Sequence, residues 1–464
     1  MFGKKKTQHI VVAGMGQGGM VAAYYLGQAG FSVDIYEKAE KGMVSHPWTD
    51  DMVTKVWART GVPMPPKEAY SQMNTWFWVT PNGKIKIRFP ANGPGNDMSV
   101  DRRMLSDHMA ALCEGVGCKV HYGKTVKELL LDGDKIVGIN VDGKKIKADL
   151  VIDALGIDSV LRPQVPAKWE IQAHEADDDL MLGCRTFYKR NEGYIPPVYP
   201  DTRSCMYLKH KGGAGISWCN LSPENTMDIL IGRLGGLKKD EWAAMTEDLF
   251  AKHGDQLTRD VVVEPKWCKI GTRYTLSKLV ADGYALVGDS AFMTIPIMGS
   301  GLEASMDAGV FLSEAVIANK GKEMSAKALW PYQVKYFQKK GAIFALIDVF
   351  KRWVLTIESE TADWAFEKIA TKSLVEAITD MALKQISVPK GLIIILKQLP
   401  FSVAALFTRP ATVKEILDTL KAAIHALLVS LKIPKKYSEK AVHDWVEAYE
   451  ASFPHKPIIN PPIE

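Results

Sequence analysis

The stretch His9-Ile10-Val11-Val12-Ala13-Gly14-Met15-Gly16-Gln17-Gly18-Gly19, followed by helix-forming residues 20–29, a second apolar run at 31–36 and then Glu37, decides the fold. It reads as strand, glycine turn, helix and strand, the βαβ unit. Gly14, Gly16 and Gly19 supply Gly-x-Gly-x-x-Gly between the first strand and the helix. The first glycine permits the tight turn, the second lets a pyrophosphate approach the backbone, and the third lets helix and strand pack closely. The helix start adds unpaired N–H groups and a partial positive charge. Glycine turns join many strands to helices, so the triplet is weak by itself. Glu37, roughly 20 residues on, strengthens it, because an acid there accepts both hydroxyls of an adenosine ribose. A dinucleotide is expected, and this unit alone does not separate NAD from FAD.

A second segment separates them. Tyr284-Ala285-Leu286-Val287-Gly288-Asp289-Ser290 is a strand ending in Gly-Asp, followed by Pro296 and by Gly299-Ser300-Gly301 at the head of another helix. An aspartate at that strand end can hydrogen-bond the ribityl chain of a flavin. The glycine turn would bring a helix N-terminus to the flavin N1 and C2 carbonyl, where the reduced ring carries negative charge. FAD is therefore the expected cofactor.

At 464 residues the chain exceeds one hydrophobic core and divides into domains. Residues 1–175 read as the dinucleotide domain, with an inserted hairpin at about 70–98 and a β meander at 126–131, 135–141 and 144–152. Residues 176–268 read as an antiparallel sheet that roofs a pocket, 269–325 return to the dinucleotide domain, and 326–464 are mainly helical with a Pro-rich tail. The fold class is α/β (α+β): a Rossmann-like domain with an inserted substrate sheet and a C-terminal helical region. With 47% hydrophobic and 24% charged residues the chain is globular, and a net charge of +5 argues against a nucleic-acid surface. The six cysteines lack the short paired spacing of a metal site and read as buried free thiols. The N-terminus leaves no room for a signal peptide, which implies a cytoplasmic location.

These motifs, with Val100-Asp101-Arg102-x-x-Leu105 and Ala148-Asp149-Leu150-Val151-Ile152-Asp153-Ala154-Leu155-Gly156, fall in the order seen in flavoproteins of the para-hydroxybenzoate hydroxylase fold. Within that fold the chain most resembles the geranylgeranyl reductase family, most closely from Gly288-Asp289 through Gly301-Leu302-Glu303-Ala304 to Gly309. The resemblance spans about the first 310 residues. It implies that Arg102 contacts the FAD pyrophosphate or ribose, Asp289 the ribityl hydroxyls, and Gly299, Ser300 and Gly301 the isoalloxazine. Lys38, Val126, Gly156, Gly288 and Pro296 complete the expected cofactor set.

The implied activity is reduction of C=C bonds in an isoprenoid or other hydrophobic lipid. A monooxygenase or halogenase of the same fold is disfavoured by Leu155 in the second fingerprint and by Phe292, where hydroxylases commonly carry a histidine. An electron-transfer flavoprotein serving a membrane quinone is a third reading, although no iron–sulfur cysteine motif is present. The reductases pose departures too: Ser45-His46-Pro47-Trp48 stands where archaeal members often have a cysteine, and their aromatic lipid motif keeps only Trp218.

Trp76, Phe77, Trp78 and Trp218 are candidate substrate contacts, with core packing the competing reading. His46, Tyr207 and Cys219 are candidate proton donors. The electron donor is expected to be NADPH, ferredoxin or another reduced carrier. Residues 342–356 and 392–407, each apolar with Lys or Arg, read either as buried helices or as interfacial helices on the inner face of the cell membrane.

Overall fold

A computed structural model describes residues 7–72, 75–84, 86–89, 98–197, 202–222, 225–369 and 408–453, with Ile458, Asn460, Pro461 and Ile463 of the tail. The expected segment 392–407 lies outside the described residues.

His9–Ala13 sits between two parallel neighbours, Ser32–Tyr36 on one side and Leu150–Asp153 on the other. Lys119–His121 extends the sheet beyond the first neighbour, and Tyr284–Leu286 then Val280–Ala281 extend it beyond the second. The chain thus reverses its direction of growth at His9–Ala13. In a doubly wound sheet the crevice at that reversal is where ligands bind. Ile10 to Ala13 are apolar and fully buried, as a central strand of a parallel sheet covered on both faces requires.

Two helices frame the crevice, Gln17–Gln28 and Leu302–Ala318. They meet backbone to backbone. A Cβ on Gly18 would lie 2.7 Å from Ser305 O, and one on Gly309 would lie 2.9 Å from Val21 Cβ. Both positions therefore need glycine for close approach.

The second large unit is a seven-stranded sheet in the order Leu257–Gly271, Leu180–Arg190, Thr226–Leu234, Gly215–Ser222, Thr202–Leu208, Thr75–Val79, Lys86–Phe89. Its pairings are antiparallel except between Thr202–Leu208 and Thr75–Val79. Two features differ from the sequence reading. The hairpin 75–89 joins this sheet, because Thr75–Val79 is buried on both faces and needs a covered position. Leu257–Gly271 is a single 15-residue edge strand that the sequence reading did not pick out. Its mixed, mostly exposed sequence hides the strand, since one edge and much of its surface meet solvent.

The meander Val126–Asp132, Lys135–Val141, Lys144–Lys147 turns at the two Asp-Gly pairs. The expected strand 144–152 divides at Ala148 and Asp149, and its second half, Leu150–Asp153, enters the dinucleotide sheet.

Helix Ala342–Thr356 is not interfacial. Ile343, Phe344, Leu346 and Ile347 lie in the main core, and Pro410–Leu431 packs along the same helix. Lys351 and Arg352 are 2% and 7% exposed and are fully paired. Lys351 Nζ forms an ion pair with Asp348 Oδ1 at 2.9 Å, and Asp348 Oδ2 accepts from Arg352 Nε at 2.6 Å. Arg352 Nη2 also reaches Asp179 at 3.1 Å, and Asp179 takes Arg273 Nη1 at 2.9 Å. The positive charges that suggested a lipid surface instead tie the helical region to the rim of the seven-stranded sheet. Among the described residues no helix is long and apolar enough to cross a membrane.

Burial pushes the Asp348 carboxyl up, but Lys351 and Arg352 together hold it below its ordinary value. A depressed carboxylate stabilises the fold at pH above its unfolded value and loses that contribution as pH falls through the folded value. Asp348→Asn leaves buried Lys351 without its carboxylate and Arg352 with Asp178 and Asp179 alone, so a loss of about 3–5 kcal/mol at neutral pH is expected. Denaturant unfolding at pH 7 and pH 3 checks it: the gap between wild type and variant narrows at the lower pH.

Candidate functional site

The crevice continues upward into a cleft roofed by the seven-stranded sheet. Gly16, Gly156, Gly288 and Gly299 to Leu302 line its floor, and Ser204, Met206, Trp218 and Asn220 line the roof.

On the floor, Gly14 has φ +85°, and a Cβ there would lie 2.6 Å from Ala154 O. Its N–H bonds Tyr36 O at 2.8 Å, so the turn is locked to the second strand. Glu37 braces the same loop: Oε2 accepts from Met15 N at 3.1 Å and Oε1 from Ala39 N at 2.8 Å. A carboxylate has room for further donors. Val126 stands at this end too, two residues after Lys124, whose N–H bonds Glu37 O. Lys38 is exposed.

At the other end, Gly301 is the N-cap of helix Leu302–Ala318, and a Cβ there would lie 3.2 Å from Asp289 Oδ1. Asp289 therefore stands beside the helix start, projecting into the open cleft. Its crowded setting pushes its pKa up, with Arg102 pulling it down and Asp50 adding to the rise. Pro296 is buried under the loop rather than lining the cleft.

Arg102 is the first residue of helix Arg102–Gly115, whose cap Asp101 accepts from Met104 N at 2.7 Å. Its Nη1 reaches Asp50 Oδ2 at 2.9 Å. Two polar atoms of cleft-lining residues, Arg102 Nε and Gln17 Oε1, are buried without a hydrogen-bond partner in the protein. Buried polar atoms are normally satisfied. Orphan donors and acceptors beside a backbone cradle too tight for side chains fit an extended polar cofactor such as a dinucleotide.

Asp50 also accepts from Arg185 Nη1 at 2.9 Å, and Arg185 grips Asp228 through Nη2 at 2.5 Å and Nε at 3.2 Å. Trp218 Nε1 donates to Asp228 at 3.0 Å. The guanidinium of Arg185 lies 4.5 Å from the Trp48 ring centre and 5.3 Å from that of Trp218. An alternating row, Arg102, Asp50, Arg185, Asp228, thus crosses the cleft between aromatic planes. Burial pushes Asp50 up, yet Arg185 and Arg102 hold it below its ordinary value.

His46 stacks on Trp48 with ring centres 4.3 Å apart and planes 4° from parallel. Burial lowers its pKa to about 4, with Arg102 and Arg185 lowering it further and Asp50 opposing them. The imidazole is neutral at physiological pH.

Side chains alternate faces along a strand, and this separates the remaining candidates. Trp76 and Trp218 line the cleft. Trp78 lies on the same side but deeper, packed with Phe89 and Leu355. Phe77, Tyr207 and Cys219 point to the opposite side, against helix Lys239–His253. Tyr207 OH pairs there with His253 Nε2 at 2.7 Å. Neither Tyr207 nor Cys219 lines the cleft, which corrects their selection as proton donors.

Trp48, Asp50, Arg185 and Asp228 were not selected from the sequence. The usable signal was Arg185 in the apolar middle of strand Leu180–Arg190 and the single aspartate, Asp228, in Thr226–Leu234: opposite charges in neighbouring buried strands need each other.

The floor and the roof together define a two-layer α/β flavoprotein-like architecture, and comparison with known proteins agrees. No protein-family model matches the chain. It is 20% identical over 412 residues to digeranylgeranylglycerophospholipid reductase of Sulfolobus acidocaldarius, covering 83% of this chain and 88% of that one. A geranylgeranyl bacteriochlorophyll reductase-like protein from Thermoplasma acidophilum superposes with a TM-score of 0.70 at 19% identity, over 89% of this chain and 99% of that one. A triple mutant of a flavin-dependent brominase gives a TM-score of 0.60 at 16% identity, over 85% and 99%. The chain shares the fold of these proteins, and the resemblance to the geranylgeranyl reductases read from its motifs is borne out.

The His46 ring is expected to stay neutral on acidification until about pH 4. Histidine-selective NMR titration of wild type and His46→Gln identifies its resonance; a midpoint near 6.5 would show the ring to be solvated rather than held against Trp48.

Proposed function

We propose that the chain is an FAD-dependent oxidoreductase that reduces C=C bonds of an isoprenoid or other hydrophobic lipid. The observation that carries this reading is the convergence of two glycine-led helix starts, Asp289 and Arg102 on one cleft whose roof presents Trp76, Met206 and Trp218. The names of the reductase relatives point to the same chemistry.

Bound and reduced, FAD would supply hydride to the substrate carbon. Gly14, Gly16 and the N-terminus of Gln17–Gln28 would hold its pyrophosphate, with the spare Arg102 donors alongside. Glu37 would take the adenosine ribose, Asp289 the ribityl hydroxyls, and the backbone of Gly299 to Gly301 the ring. The protein's own groups do the rest. Asp50 keeps Arg102 and Arg185 in fixed positions. Met206, Trp218, Ile270 and Met298 give a greasy chain an apolar bed beside the Gly299 turn.

Arg185 meets an anionic substrate poorly, because Asp50, Asp228 and the Thr49 carbonyl already engage all three of its nitrogens. The neutral His46 orients rather than acidifies, which leaves water in the cleft as the source of the second hydrogen. Electrons arrive from NADPH, ferredoxin or another reduced carrier. A lipid substrate implies contact with a bilayer surface, through an element other than helix Ala342–Thr356.

The purified protein is expected to bind FAD and, once reduced anaerobically, to add two mass units per double bond to a prenyl lipid. Absence of any such shift across prenyl alcohols, diphosphates and glycerolipids, with oxygen-dependent oxidation instead, would replace this reading by the monooxygenase one. Arg102→Gln removes a charge-assisted contact of about 1.5–3 kcal/mol, so FAD affinity should fall roughly ten- to hundredfold in a fluorescence titration. Trp218→Ala should raise KM for the lipid while leaving FAD affinity unchanged.

A further inference from the structure

Helix Leu302–Ala318 opens at the cleft, and its bare N-terminus would favour the negative charge of a reduced flavin. Its second residue, however, is Glu303, only 2% exposed. Glu303 Oε1 accepts from Val53 N at 2.8 Å, and Oε2 stands 3.4 Å from Ser300 Oγ in the Gly299 to Gly301 turn. A carboxylate in the first turn places a negative charge where the dipole is positive.

The charged groups packed around Glu303 come from three elements. Arg59 belongs to helix Lys55–Thr60, Lys340 to the single π-turn Phe337–Gly341, and Asp307 to the next turn of the same helix. Both cations centre on Asp307 rather than on Glu303. Arg59 Nε and Nη2 each reach Asp307 at 2.8 Å, and Lys340 Nζ lies 3.4 Å from it. Among the described residues no ion pair within 4.0 Å engages Glu303. Burial pushes its pKa up, against the N–H donors and the more distant Lys340 and Arg59.

With Glu303 ionised, these four side chains sum to zero charge. A further negative charge at the helix start would leave the buried group at minus one, which a low-dielectric site resists. Asp307 is paired with its two cations. Asp50 is held anionic by its two arginines, and Asp289, on the reading above, accepts from the ribityl hydroxyls, which favours its charged form. Glu303 is the carboxylate left to respond.

We propose that Glu303 takes up a proton when the flavin is reduced, and so sets the pH dependence of the cofactor's potential without touching substrate. This rests on the FAD reading above. The balance is two electrons and one proton to the flavin, giving its singly charged reduced form, and a second proton from solvent to the Glu303 carboxylate. Both electrons come from the reductant. Glu303 acts through the flavin and is a positioning residue.

The test is the flavin midpoint potential against pH, in wild type and Glu303→Gln, over the range where the reduced flavin is an anion. Glutamine keeps an oxygen for Val53 N–H. Wild type should take up two protons per electron pair and the variant one, halving the slope. At the alkaline end the variant should favour the reduced flavin at least tenfold more than wild type. Equal slopes would overturn the proposal. Should the variant not hold FAD, redox-difference infrared spectra of wild type decide: a carboxylic acid band that appears on reduction supports it, and no such band refutes it. A wild-type protein that takes up no FAD would remove the functional reading itself, a distinct result from equal slopes.

Discussion

The backbone of helix Gln17–Gln28 touches that of helix Leu302–Ala318 at Gly18 and Gly309, and the rest of the molecule depends on that contact. Two helix starts separated by almost three hundred residues can face one ligand only if their axes come this close. Any side chain at either glycine would drive them apart and open the cleft floor. The strand order allows the same convergence from beneath, since His9–Ala13 and Leu150–Asp153 are neighbours and both lead into the crevice.

The cleft is more polar than a lipid tunnel requires. Arg102, Asp50, Arg185 and Asp228 form a self-neutralising row between Trp48 and Trp218. Such a row contributes little net charge to the site. It fixes the aromatic planes instead, because the Arg185 guanidinium is held by two carboxylates and lies over the Trp48 and Trp218 rings. The cleft therefore combines rigid apolar walls with one under-used cation, Arg102.

The helical last third shows why charge patterns mislead when read alone. Lys351 and Arg352 on an apolar helix have the composition of a membrane-surface element. In the structure they lie inside, neutralised by Asp348, Asp178 and Asp179. A buried network of this kind gives little stability over apolar packing, but it ties the helical region to the rim of the seven-stranded sheet at one defined position.

The dinucleotide unit, both glycine turns and the acidic residues after them were legible because their demands are local. A positive φ, a close backbone approach or a capping acid constrains single residues within a few positions of one another. The cleft roof was not legible. Asp50 and Arg185 are 135 positions apart, and Arg352 and Asp179 are 173 apart. Strand alternation also decides which of two adjacent residues meets the cleft, and the sequence leaves that parity open: Met206 and Trp218 face in, while Tyr207 and Cys219 face out. The sequence by itself determined the cofactor cradle, since its geometry is written in consecutive residues. Only the tertiary structure decided which charges are paired and which side chains line the cleft, since both depend on partners that folding alone brings together.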